Sequence, residues 1–204
     1  MLAGHYAASF AGKRAEPRVP LWVLFLAAQL VDILWAVFVL VGVERASLDF
    51  SLPSNALVAE YMPYTHSLLG TAVIATIAAL VVWRWLGSWR GALVVGLVVT
   101  SHWFLDLPMH RPDLTLTGAG PKLGWQLWNY PLLAHGFELG VLMLSWLLLP
   151  DRRRGWAVIL LLVLVVVQLY AILAPPPPTV TQMVLSLLVV YLAIVGLAAW
   201  LEPR

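Results

Sequence analysis

Cysteine is absent from this chain, which excludes thiolate metal sites, disulfides and thiol redox chemistry. Charge is scarce: 11% of the 204 residues are Asp, Glu, Lys or Arg, where a soluble domain carries about a quarter. Too few polar side chains remain to coat a water-soluble globule of this size, so soluble nucleotide-binding folds and disorder are excluded. A net charge of +2 is too small for a nucleic-acid-binding surface, and no nucleic-acid partner is expected. What the chain has in excess is hydrocarbon, with 62% hydrophobic residues and a mean hydropathy of +0.89. Runs of about twenty apolar residues recur, each long enough to cross a ~30 Å hydrocarbon layer as a helix. The sequence reads as an all-α polytopic membrane protein surrounded by membrane lipids.

Six spans are expected, over residues 21–43, 65–86, 91–107, 131–150, 156–174 and 180–201. Backbone polar groups inside lipid must bond to one another along the segment, which makes every span a helix. Basic residues give the orientation. Lys13, Arg14, Arg18, Arg84, Arg90, Arg152, Arg153, Arg154 and Arg204 fall on one side, against Arg45, Arg111 and Lys122 on the other. That bias puts both termini in the cytoplasm. Trp83, Trp85, Trp89 and Trp156 crowd the same boundary, and Trp125 and Trp128 lie in the outer loop, as interfacial aromatics do.

The first twelve residues do not read as a cleavable signal, because their apolar stretch precedes Lys13 and Arg14 instead of following them. They are also too short to span. Two readings stand: an amphipathic helix on the inner surface, or a re-entrant helix tucked among the others. Residues 1–150 hold all five histidines and nearly every ionisable group expected at membrane depth. Residues 151–204 read as a two-span scaffold, and the whole forms a single membrane domain.

An imidazole or carboxylate inside a span costs several kcal/mol unless it is paired or solvated, so each one is a functional candidate. Asp32 sits in the middle of the first span. His102, Asp106 and His110 follow one another at intervals of four, on one stripe of a helix. Pro108 interrupts the last step, which makes His110 a supporting or substrate-contacting group rather than a first choice of ligand. His66 opens the second span from the outer side, and His135 and Glu138, three apart, share a face of the fourth. Measured from the basic boundary, Asp32 and His102 both lie at roughly 16 Å and Asp106 at roughly 22 Å. A re-entrant His5 approaches that pair from below, and His66 closes the set from above. Imidazole nitrogens and carboxylate oxygens suit a divalent metal ion, zinc first, then manganese or non-haem iron.

The motifs Gly4-His5, Leu30-Val31-Asp32, Tyr64-Thr65-His66-Ser67-Leu68 and Ser101-His102 with Leu105-Asp106 occur in that order. In this they resemble the YdjM-like proteins, metal-dependent hydrolases of the bacterial inner membrane. The outer string His110-Arg111-Pro112-Asp113-Leu114, with Gly120 to Gly124 and Leu127-Trp128-Asn129, is similar to a branch that carries a membrane-protein or permease label. The resemblance covers about the first 140 residues. It implies an inner-membrane location, hydrolysis, and His5, Asp32, His66, His102 and Asp106 as metal ligands. The chain departs from the family in having one acid, Asp32, where a Pro-Asp-x-Asp pair is common. It also has Tyr61-Met62-Pro63-Tyr64 where an Arg precedes the Thr-His-Ser.

The leading expectation is a metal-dependent hydrolase acting on a lipidic or membrane-borne ester or phosphoester. Asp106 serves there as ligand or general base, His135 and Glu138 hold the ligands, and Arg111 and Lys122 are available to a phosphate. Two other classes use the same residues: a small transporter with an intramembrane His/Asp ion path, or a non-catalytic subunit of a larger membrane complex or homo-oligomer.

Overall fold

A computed structural model describes residues 1–149 and 154–202. Pro150, at the expected end of the fourth span, and Arg152, Arg153 and Arg204, used in the charge count, lie outside the described residues. Among the described residues the fold is all-α apart from one hairpin. Seven helices are formed: α1 (Tyr6–Ala15), α2 (Leu21–Leu40), α3 (Leu68–Leu86), α4 (Trp89–Met109), α5 (Pro131–Leu147), α6 (Gly155–Leu173) and α7 (Val180–Leu201). Two short strands, β1 (Arg45–Leu48) and β2 (Leu57–Tyr61), pair antiparallel between α2 and α3. The sequence reading had no strand there, because a four- or five-residue hairpin in an outer loop leaves no alternation long enough to detect.

Helix ends follow local chemistry. Ser67 and Ser88 cap α3 and α4 by accepting from the amides of Gly70 and Gly91, and Thr179 caps α7 through Gln182. Pro131 starts α5 at a position where its missing N–H costs nothing. Pro108 does not stop α4, which runs on to Met109, and the amide of His110 still donates to the Asp106 carbonyl at 2.8 Å.

Among the described residues five helices are long and apolar enough to cross a membrane: α2, α3, α4, α6 and α7. The fourth expected span is represented by α5, whose 17 residues rise only about 26 Å. Five of the six expected spans are thus formed at full length among the described residues. Outward faces are apolar, as on α3, where Leu69, Val73, Ile77, Leu80 and Val81 are all exposed. Apolar surface of that extent suits lipid and not water. The chain is a multi-pass membrane protein.

Of the two readings for the amino-terminal segment, the structure takes the packed one. α1 lies against α2, α4 and α5, with Tyr6 and Phe10 buried on Phe25. At its end Lys13 pairs with Glu202 at 2.7 Å, and Glu202 also accepts from the amide of Leu21. α7 lies along α2, and α3 forms a hairpin with α4. At the opposite end, residues 41–67 and 110–130 join through a bridge between Ser67 and Thr115, and a bridge between Leu114 and Leu123 closes the second segment on itself. This loop layer caps the end of the bundle where the histidines gather.

Candidate metal centre

Four imidazoles and two carboxylates meet beneath that cap. α4 supplies His102 and Asp106 one turn apart, with His110 just past its end. α2 supplies Asp32, the residue before the α3 cap supplies His66, and the start of α1 supplies His5. Nε2 of His102 lies 3.1 Å from Asp106 and 3.4 Å from Asp32, and Nε2 of His66 is 3.3 Å from Asp32. Nε2 of His5 and of His110 stand 3.2 and 3.6 Å from the two oxygens of Asp106. Two groups, His5 with Asp32 and His102, and His66 with Asp106 and His110, each have donor atoms within 4.8 Å of one another. These buried clusters can hold a metal ion.

The bonds behind the rings matter as much as the ring tips. His102 Nδ1 lies 2.9 Å from the carbonyl of Ala28, which can only accept, so this nitrogen carries the proton. His110 Nδ1 meets the Asp113 carboxylate at 2.8 Å, with the same result. His66 Nδ1 meets the Thr65 hydroxyl at 2.9 Å, and that hydroxyl donates to Glu44 at 2.6 Å. Its oxygen is left to accept from the ring. Glu44 is fixed in turn by the amides of Tyr64 and Thr65. In all three rings Nε2 is therefore the nitrogen that faces the carboxylate oxygens. A proton or a metal ion must lie between such a nitrogen and a carboxylate, and a ring tied at Nδ1 is the arrangement by which proteins orient metal-binding histidines. The Nε2 atoms of His5 and His102 and Oδ2 of Asp106 are buried without a hydrogen-bond partner, as atoms reserved for an ion would be. The donor set fits a divalent metal.

Other contacts set the site's shape. The His5 and His102 rings stack at 3.7 Å, and Trp128 lies on His110 at 4.2 Å. Tyr191 donates to Asp32 Oδ2 at 3.0 Å. The segment carrying His5 is held by Glu138, which accepts from the amides of Leu2 and Gly4 at 2.7 and 3.2 Å. Gln168 accepts from Ala3, and Gln29 donates to the Leu2 carbonyl. The amino group of Met1 lies 2.7 Å from Asp106.

Placement differs from the sequence reading in four respects. His110 stands among the potential ligands and not behind them, because α4 continues past Pro108. Arg111 does not face the cluster: it bonds Asn129 and the carbonyls of Pro53, Asn55 and Leu57, tying the cap together. Partial burial holds its guanidinium below the ordinary range, with Asp113 and Asp49 acting the other way. Lys122 is exposed. His135 meets Gln168 at 3.3 Å and lines the adjoining cavity, whereas Glu138 acts through the backbone before His5. Finally, α6 and α7 are more than scaffold, since Gln168 and Tyr191 reach the site from them. Sequence reasoning passed over Glu44, Asp113, Gln168 and Tyr191. Asp113 carried a signal in its spacing of three from His110, and Tyr191 and Gln168 in being isolated polar groups within apolar helices. Glu44 carried none.

Compared with family models, curated proteins and solved structures, the chain has no match.

Proposed function

We propose that this protein is a metal-dependent hydrolase of a membrane-borne ester or phosphoester, with zinc as its ion ahead of manganese or iron. The observation that carries the reading is the set of three imidazoles whose Nδ1 atoms are tied and whose Nε2 atoms converge on Asp32 and Asp106. His5, Asp32, His66, His102, Asp106 and His110 would hold the metal. Six donors exceed the four of a tetrahedral zinc site. Asp32 and Asp106 each approach imidazoles of both groups, so the donors would suffice for a second ion. When bound, divalent metal supplies Lewis acidity for a carbonyl or phosphoryl oxygen and lowers the pKa of water at an open position.

The chain's own residues orient and shield. Tyr191 occupies Oδ2 of Asp32 and so turns Oδ1 toward His66 and His102. Asp106 is the carboxylate available to take a proton from attacking water if one of its oxygens is free of metal. Trp35 packs edge-on against His66, Trp128 lies tilted against His110, and both keep bulk water off that side. The resemblance to YdjM-like proteins supports hydrolysis and an inner-membrane location, and the basic end of the bundle supports cytoplasmic termini. The test is hydrolysis of a chromogenic short-chain ester and of a chromogenic phosphodiester by protein purified in detergent. Activity on one of them that chelation abolishes and zinc restores supports the reading. Tight metal binding with neither activity points to the ion-path or accessory classes.

A further inference from the structure

The cavity that touches the cluster extends well beyond it. It measures about 270 Å³ and runs from Asp32, His66 and His110 to the ends of α6 and α7 flanking residues 174–179. Its far wall is hydrocarbon, with Val167 and Ala171 on α6 and Leu187 and Val190 on α7. These two helices are consecutive in sequence but pack sparsely on each other, because α7 lies along α2 and α6 leans on α5. The buried residues of α6 stop at Gln168. Past it Leu169, Tyr170, Ile172 and Leu173 are all exposed. The last turn of α6 therefore stands away from its neighbours, and the cavity opens sideways between two apolar helices. The loop cap, stitched by Arg111, covers the end of the bundle. Pockets for small molecules commonly span ~300–1,000 Å³, and this one stands at the lower end of that range.

From this geometry we infer that the cleft between α6 and α7 is a lipid-chain site. A membrane lipid enters sideways, lays one hydrocarbon chain along Ala171, Leu187 and Val190, and brings its headgroup linkage to the end lined by Asp32, His66 and His110. A lateral opening between lipid-facing helices admits what is dissolved in the bilayer, and Val167, Ala171, Leu187 and Val190 give a hydrocarbon chain an apolar wall beside the polar Gln168, Ser186 and Tyr191. Calling that lipid the substrate rests on the hydrolytic reading above; its binding in the cleft does not.

The test uses the full chain in phosphatidylcholine vesicles containing a phosphatidylcholine with a diazirine at the middle of one acyl chain. After irradiation, adducts are mapped by mass spectrometry. Leu162 and Leu192, exposed on α6 and α7, report ordinary contact with surrounding lipid. Adducts are expected at Leu187 and Val190 as well. Ala171→Trp, which fills the cleft with an indole, should reduce those cleft adducts at least fivefold and leave Leu162 and Leu192 unchanged. Leu187→Trp serves as a second block, read at Val190, should the first variant fail to fold. Adducts confined to Leu162 and Leu192, or cleft adducts indifferent to both blocks, would overturn the inference. Metal content of the same samples keeps the two readings apart. Cleft labelling of a protein that binds no metal retains the lipid site and removes the hydrolase.

Discussion

Glu44 lies outside the cluster, yet its charge decides whether His66 can bind metal. Its carboxylate accepts from two backbone amides and from the Thr65 hydroxyl. In Glu44→Gln the amides of Tyr64 and Thr65 still require an acceptor, so the new carbonyl oxygen turns to them and the NH2 faces Thr65. The hydroxyl then accepts from the amide and points its own proton at His66 Nδ1. The ring answers with the other tautomer, protonated on Nε2, and its lone pair is withdrawn from the cluster. The outer shape barely changes, but one donor is lost. Substitutions behind a ligating histidine typically cost 10- to 100-fold in metal affinity, or about 1.4–2.7 kcal/mol. Competition with a fluorescent zinc chelator measures this directly. Thr65→Ser, which keeps the hydroxyl, should retain nearly all the affinity, and Thr65→Val should lose it like Glu44→Gln. A Glu44→Gln protein binding zinc within threefold of the unaltered chain would refute the tautomer argument.

Glu138→Ala leaves the amides of Leu2 and Gly4 without their partner, at a cost of about 1–3 kcal/mol for each that stays buried. Both thermal stability in detergent and zinc affinity should fall, because His5 loses its anchor, and Glu138→Gln should recover most of each. A Gly124→Ala methyl would clash with the carbonyl oxygens of His110 and Arg111, at a φ of +155°. Backbone cannot yield cheaply, so a loss of about 1–3 kcal/mol is expected, with weaker zinc binding through displaced His110; unchanged melting would show that the cap is loose. Reporters fused to either terminus should score cytoplasmic, and a periplasmic signal from either would reverse the charge argument.

The helical, membrane-spanning character was legible because apolar runs of twenty residues leave little alternative. So was the pairing of His102 with Asp106, since an interval of four on a helix needs no tertiary information. His5 was within reach only through a depth argument that required the amino-terminal segment to enter the bundle, as it does. His110 was set behind the ligands on the ground that proline disrupts helices, but Pro108 sits in the last turn, where the bond it removes is one of few remaining. The closeness of Asp32 and Asp106, which both face Nε2 of His102, is set by the packing of α2 against α4, and no local motif shows it. Glu44 and Tyr191 were out of reach for the same reason: each meets its partner from a distant element, 21 and 159 residues away. The hairpin of β1 and β2 is held by its neighbours in the cap and has too few residues to declare itself.

The central claim is that the cluster of His5, Asp32, His66, His102, Asp106 and His110 binds metal, and elemental analysis of protein purified without chelators tests it most directly. The unaltered chain should carry one to two equivalents of divalent metal, chiefly zinc. His102→Ala, which removes one of the two imidazoles approaching both carboxylates, should lose at least the ion held by His5, Asp32 and His102. Asp106→Asn should retain a weaker site, because an amide oxygen can still coordinate. Absence of metal from the unaltered protein, or an undiminished content in a folded His102→Ala variant, would contradict the account and leave these side chains as a hydrogen-bonded contact between helices.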